Sequence, residues 1–380
     1  MIPQTILSYY PTYAILDEIV STGNYKRLNI FADLKNNLQS LYMEHAVINI
    51  VENSTKSKKL DSSVFSSVMS FVAFHKLYSI RRKLDIFLYF FFETGRSYYH
   101  LNLSPKYKIS RRISDLYGLD TEKRDLFYKV IQNNLGLVEK VGNQIPKVKV
   151  FRLQNLEADF IPYYLIRNNL VEQSSDVANI IYSNDHDLLQ CLEHKNTFVY
   201  AKTSSKQKKV VKSGEVMRNY LKKDTAFPDS YLPVSMAIVG DVGDNVDGIN
   251  GIGNIRLSEV LERVIGMAGG VEQLYNNVIN QKDLFDLSRY ENKNKYIDTI
   301  VEKETTEKLV SRNLKLVSFE ILSRILDSPP STELLDKRNH IYSVCNEENK
   351  SPLESMRMAL NLSEVLLEED ALDIIYYGEK

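Results

Sequence analysis

Acidic residues recur at one kind of place in this sequence, directly after short apolar runs. Asp33 closes Leu28–Ala32, and Glu93 closes Ile86–Phe92. Glu157 and Asp159 follow Lys147–Leu153, and Asp185 and Asp187 follow Val177–Tyr182. Carboxylates brought together raise one another's pKa values. A set of hard oxygen donors suits Mg²⁺ or Mn²⁺ rather than zinc. Two such ions side by side clamp the attacking and leaving oxygens of a phosphodiester. Taken singly, Asp33 reads as a cap or turn residue, and Asp185-His186-Asp187 as a solvated turn. Recurrence at four run ends is what argues for a site.

A second stretch, Ala237–Gly253, carries two further acids and a set of glycines. Asp241 and Asp244 are three apart and share a face on a helical turn. Gly248, Gly251 and Gly253 then lead into Asn254-Ile-Arg256-Leu-Ser-Glu-Val-Leu, an amphipathic helix start. Glycines let a backbone approach a phosphate, and a helix N-terminus offers it free N–H groups. Such contacts hold nucleic acid without reading its bases.

The elements that must position these groups follow from the apolar pattern. Strands are expected at Leu28–Ala32, Asp85–Phe92, Lys147–Leu153, Val177–Tyr182 and Thr197–Tyr200. Helices are expected at Tyr13–Ser21, over 37–82 with a polar break at Asn53–Ser63, over 104–135, and over 158–170. Strands alternating with helices imply an α/β unit with a mostly parallel sheet, whose ligands lie beyond the carboxyl ends of the strands. Beyond about residue 230 the chain reads as helices joined by Gly- and Asn-rich turns.

These motifs resemble those of the structure-specific 5′ nucleases: flap endonucleases, the 5′–3′ exonuclease domain of bacterial DNA polymerase I, and phage 5′ nucleases. The resemblance spans roughly residues 27–275. It rests on Gly240-Asp241-Val-Gly-Asp244-Asn245-Val-Asp-Gly248-Ile-Asn-Gly251-Ile-Gly253, on Glu157-Ala158-Asp159, and on Asp185-His186-Asp187-Leu188-Leu189. Phe92-Glu93 and Tyr107-Lys108-Ile109-Ser110-Arg111 add to it. The chain departs from the pattern at Glu93, Phe160, Leu34 and Leu257.

The resemblance implies a PIN-like α/β domain over 27–235 with an arch near 104–135, and a helix–three-turn–helix DNA-binding module over 236–300. An N-terminal extension (1–26) and a helical C-terminal extension (301–380) would flank them. It implies two Mg²⁺ or Mn²⁺ held by Asp33, Glu93, Glu157, Asp159, Asp185, Asp187, Asp241 and Asp244, and a K⁺ at the glycine hairpin. Lys108 and Arg111 would point at the scissile phosphate from the start of a gateway helix. DNA contacts would come from Arg96, Lys106, Arg112, Lys206, Lys208, Lys209, Gly248, Gly251, Gly253, Asn254 and Arg256. The substrates would be DNA 5′ ends, flaps and nicks, and RNA–DNA hybrids, in replication or repair. Hydrolysis would leave a 5′-phosphate and a 3′-hydroxyl. Residues 276–380 would be a helical extension packing on the DNA module or a docking surface for a replication partner. A branched-DNA-binding homologue without activity and a small PIN ribonuclease are the competing readings.

Bulk properties set the remaining bounds. The 380 residues carry a formal net charge of -1, with 43% hydrophobic and 26% charged residues, as in an ordinary folded protein. That balance conceals basic stretches. Arg96–Arg112 has five basic residues and no acid, and Lys202–Lys223 has eight against Glu215. The second reads as a track for duplex phosphates or as a solvated lysine face. Tyr98, Tyr99 and Tyr107 read as base-stacking platforms or as packed rings with wet hydroxyls. Cys191 and Cys345 make no disulfide framework or zinc site. The sequence starts without a signal-peptide pattern and has no run long enough to cross a bilayer. No polymerase-sized continuation follows. The expectation is a stand-alone cytoplasmic enzyme of a bacterial or phage-infected cell.

Overall fold

A strand that is apolar at every position must be covered on both faces, and this protein has several. The computed structural model describes residues 13–34, 63–108, 121–183, 185–202, 208–290 and 294–347. Six strands form one sheet: β1 (Arg27–Asp33), β2 (Asp85–Thr94), β3 (Val148–Gln154), β4 (Val177–Tyr182), β5 (Thr197–Lys202) and β6 (Lys208–Lys212). Their order is β3-β2-β1-β4-β5-β6. The first five run parallel, and β6 pairs antiparallel with β5 at the edge. The five expected strands are present. β6 was not expected, because Lys208-Lys-Val-Val-Lys212 reads as charge rather than as an apolar run.

Alternation sorts each strand's side chains between two cores. Leu28, Ile30, Leu88, Phe90, Phe92, Val148, Val150 and Ile180 face one. Phe31, Tyr89, Phe91, Phe151, Leu153, Ile181 and Val199 face the other. Phe31 and Tyr89 are register partners, and their rings stack at 4.9 Å. Between β1 and β4 the partners Asn29 and Asn179 share a buried side-chain hydrogen bond of 2.9 Å. A one-residue slip would strand that polar pair among apolar groups, so it helps to fix the register.

The first core is covered by α1 (Tyr13–Ser21), α2 (Ser63–Arg82) and α4 (Thr121–Gly142); the short α3 (Tyr98–Leu103) follows β2. The second is covered by the remaining helices: α5 (Ile161–Arg167), α6 (Val216–Leu221), α7 (Leu232–Val239), α8 (Asn254–Ala268), α9 (Val271–Ile279), α10 (Lys295–Glu307), α11 (Leu309–Val317), α12 (Phe319–Asp327) and α13 (Thr332–Asn346). Of the helix expected over 104–135, α4 holds residues 121–135 and continues to Gly142, where Leu135, Val138 and Val141 supply the stripe that it buries. Ser104–Lys108 form a turn, and residues 109–120 lie outside the described residues. Among the described residues, no helix is long and apolar enough to cross a membrane.

One core runs across residue 235: β-sheet residues, α7, α8 and the helices to α13 share it. Two buried amides pin this packing. Asn313 on α11 donates to Ala237 O and Asp247 O at 2.8 Å each. Gln190 donates to Val317 O at 2.8 Å and accepts from Phe319 N at 3.0 Å.

Candidate active site

The sheet order explains how acids 150 residues apart come to one place. The strands that deliver them, β3, β2, β1 and β4, are immediate neighbours and all parallel. Their carboxyl ends therefore form one edge, beside the β1/β4 point where the strand order reverses. Asp33 is the last residue of β1 and is buried. Glu93 is half-buried near the end of β2. Glu157 and Asp159 occupy the loop between β3 and α5. After β4 the chain enters a 3₁₀ helix, His186–Glu193. Asp185 caps it, accepting a hydrogen bond from Asp187 N at 3.0 Å. His186 points to solvent, as a residue in a turn does.

Asp241 and Asp244 arrive on a tight turn between α7 and α8, closed by paired hydrogen bonds between Asp241 and Val246. Asp241 Oδ1 accepts from Gly243 N at 2.8 Å. The shared face expected of a helical turn comes instead from this bridge. Asp187, Asp241 and Asp244 each offer an oxygen, and the three lie within 4.8 Å of one another.

Like charges in this space are costly. Burial raises the Asp187 carboxyl well above the usual range, and Asp185, Asp244 and Asp241 add to it. Burial likewise raises Asp159, with Glu157, Glu93 and Asp185 adding to it. The acids thus fall into two overlapping groups, one around Asp187 and one around Asp159, with Asp185 common to both. A bound cation would relieve each. The donors are hard oxygens throughout, so this set fits Mg²⁺ or Mn²⁺.

Lys108 sits between the groups. Its Nζ lies 2.6 Å from Glu157 Oε1 and 3.2 Å from Asp244 Oδ2. Burial alone would raise Glu157, but Lys108, His100 and the Tyr107 hydroxyl bring it down to about 2. The gateway helix expected to begin here would run into residues 109–120, which lie outside the described residues. Lys108 lies in a turn with φ +51°, and its N–H donates to Asp244 O at 2.8 Å. The left-handed residue turns the side chain inward onto the acids.

Tyr107 is the residue that sequence reasoning misjudged. It is neither wet nor available for stacking on a base. Its buried hydroxyl lies 2.9 Å from Glu157 Oε2 and 3.2 Å from Asp244 Oδ2. Its ring stacks on His100 at 4.8 Å, and His100 Nδ1 is 2.6 Å from Ser97 Oγ. Its place directly before Lys108 was the available signal. Tyr99 is half-buried against the second core, and Tyr98 is exposed.

The glycines divide in role. A Cβ on Gly248 would meet Val239 O at 1.8 Å, and one on Gly240 (φ +84°) would meet Gly248 N at 2.3 Å. These two let backbones cross. Gly248 therefore has a packing reason of its own beside the phosphate contact expected of it. Gly251 and Gly253 are exposed, and α8 starts at Gly253 without a side-chain cap. Asn254 is tied back, donating to Tyr220 O at 2.8 Å. Arg256 is exposed, donates to Gly251 O and lies 5.3 Å from the Tyr296 ring.

Of the remaining expected DNA contacts, Arg96 is half-buried and Lys106 exposed. Lys208 and Lys209 lie on β6. Arg111, Arg112 and Lys206 lie outside the described residues. Cys191 is buried and Cys345 half-buried, both free.

By sequence, the chain matches no protein-family model and no curated protein. By structure, it is similar to a flap endonuclease of bacteriophage T5 solved as a pseudo-enzyme–product complex with DNA and metal ions. The TM-score is 0.53 at 20% identity, over 84% of this chain and all of that one. It is also similar to T5 5′-exonuclease with bound divalent metal ions (zinc), with a TM-score of 0.52 at 19% identity over 84% of this chain and 100% of that one. The chain therefore has the fold of these phage 5′ nucleases, as its motifs implied.

Proposed function

We propose that this chain is a divalent-metal-dependent 5′ nuclease acting on DNA, a 5′–3′ exonuclease and flap endonuclease. The observation that carries the reading is the convergence of Asp187, Asp241 and Asp244 within 4.8 Å, at the edge where four parallel strands present further acids. Two Mg²⁺ or Mn²⁺ would be held by Asp33, Glu93, Glu157, Asp159, Asp185, Asp187, Asp241 and Asp244, some through water. Such ions lower the pKa of water and balance charge on the leaving oxygen.

The protein's own groups do the positioning. Lys108 presents an ammonium in a partly buried setting, where it favours phosphate charge. Tyr107 orients Glu157 and Asp244, and His100 backs its ring. The turn at Gly251–Gly253 and the uncapped start of α8 suit a backbone phosphate. Arg111 and Arg112 would join from the arch, K⁺ would sit at the hairpin, and Lys206, Lys208 and Lys209 would track the duplex. Products would carry a 5′-phosphate and a 3′-hydroxyl, from DNA or from RNA in a hybrid, in replication or repair.

The test is cleavage of a labelled 5′-flap DNA in Mg²⁺, with Asp187→Ala as control and single-stranded RNA as a second substrate. Cutting of flap DNA by wild type and not by the variant is expected. Tight flap binding without cutting would instead establish a branched-DNA-binding protein. Preference for RNA would establish a PIN ribonuclease.

A further inference from the structure

The side chain of Arg312, in the first turn of α11, has no ion pair or hydrogen-bond partner among the described residues, and its Nε is buried. It lines a cavity of about 270 Å³ between α11, the Ser104–Lys106 turn and Asn245–Asp247. The wall is fixed in place. Neighbouring Asn313 is fully buried and bonds Ala237 O and Asp247 O, and its Oδ1 is left without a partner. Across the cavity stands Lys106, exposed and likewise unpaired among the described residues. Asp247 is the one carboxylate among the lining residues.

A buried guanidinium N–H costs free energy until it finds an acceptor. Two cations facing one small cavity call for an anionic one, and the planar fork of arginine matches phosphate oxygens. Both walls lead directly to the carboxylates. Lys106 is two residues before Lys108, and Asn245 follows Asp244. Two residues span at most about 7 Å, so a phosphate here lies near the phosphate held at the acids.

We infer that Arg312 and Lys106 form a subsite for a backbone phosphate of the bound DNA, adjacent to the one being cut. The inference rests on the 5′ nuclease reading. It also gives the C-terminal helices a role in holding substrate.

The test is anisotropy titration of a labelled 5′-flap DNA by the full chain in Ca²⁺, repeated across a range of salt. Wild-type binding reports on the 5′ nuclease reading; the variants report on the subsite. Arg312→Gln and Lys106→Gln should each weaken binding about tenfold and reduce the slope of log affinity against log salt by about one. Arg312→Lys should keep the slope and lose part of the affinity. Unchanged affinity and slope in Arg312→Gln would overturn the inference. So would a loss of affinity accompanied by a lowered melting temperature and an unchanged slope, because Arg312 would then be a packing residue. Failure of wild type to bind flap DNA would bring down both readings.

Discussion

Two clusters of partly buried charge lie on this molecule, and they differ in one respect. Between α5 and α12, Arg167 bonds Glu320 and Asp327 at 2.6 Å each. Arg324 bonds Glu320, and Glu272 at 2.6 Å. The Tyr163 hydroxyl meets Glu193 and Glu320. Each carboxylate there has a donor: two guanidiniums serve Glu320, Asp327 and Glu272, and the Tyr163 hydroxyl serves Glu193. At the strand ends and the Asp241–Asp244 turn, burial and neighbouring acids raise Asp159 and Asp187, while Lys108 pairs with Glu157 and Asp244. The first arrangement is complete within the protein and holds helices together. The second holds carboxylates that raise one another, which a bound cation would relieve. Imbalance, rather than the presence of charge, marks the site.

Five measurements would break or sharpen that contrast. The largest effect is expected at the unbalanced cluster. Asp187→Ala should lower flap cleavage by about three orders of magnitude, the scale of losing a preorganised electrostatic group, while the metal-free variant melts no lower than wild type. A variant that melts much lower would show that Asp187 serves the fold. At the balanced cluster the pattern should invert. Arg167→Ala leaves Asp327 without its guanidinium and Glu320 with Arg324 alone, a loss of about 2 kcal/mol or more in charge-assisted hydrogen bonds. Chemical denaturation should read that loss, with cleavage below the melting range little changed.

Metal should act on one cluster and not the other. Saturating Mg²⁺ at about one hundred times its dissociation constant should stabilise wild type by about 2.7 kcal/mol. Calorimetry should find that shift removed by chelator and absent in Asp241→Asn, yet preserved in Arg167→Ala. Tyr107→Phe should give a smaller change, about 1.5 kcal/mol in transition-state stabilisation, because it removes one hydroxyl shared by Glu157 and Asp244. Single-turnover cleavage would measure it, and an unaltered rate would reduce Tyr107 to packing.

pH distinguishes the acids within the unbalanced cluster. Asp159 and Asp187 have folded pKa values above their unfolded ones, so the metal-free folded state binds more protons than the unfolded state. Their stabilisation is present at low pH and is lost as pH rises through the raised values. Glu157 works the other way: its contribution is present above its ordinary 4.5 and is lost as pH falls towards about 2. Melting of the metal-free protein should therefore improve on mild acidification from neutrality. Asp187→Asn should flatten that trend, and a wild-type curve already flat would argue against the repulsion described here.

The sequence by itself determined the parallel strands and the acids at their ends. An apolar run and the residue that closes it are local features, and side-chain alternation follows from strand geometry. It also determined the Asp241–Gly253 turn, since aspartates and glycines at fixed spacing constrain the backbone directly. What only the tertiary structure decided is pairing across distance. Nothing near Tyr107 says that its hydroxyl will meet Glu157 and Asp244, and the left-handed turn at Lys108 is held by Asp244 O from another segment. The close packing of Gly248 on Val239 and Gly240 came to light only when those segments were placed together. The strand β6 and the reach of α11 to the acid-bearing turn were hidden for the same reason. Local pattern fixes which face of an element is apolar, whereas the partner of a polar group is chosen by whatever the folded chain brings within hydrogen-bonding distance.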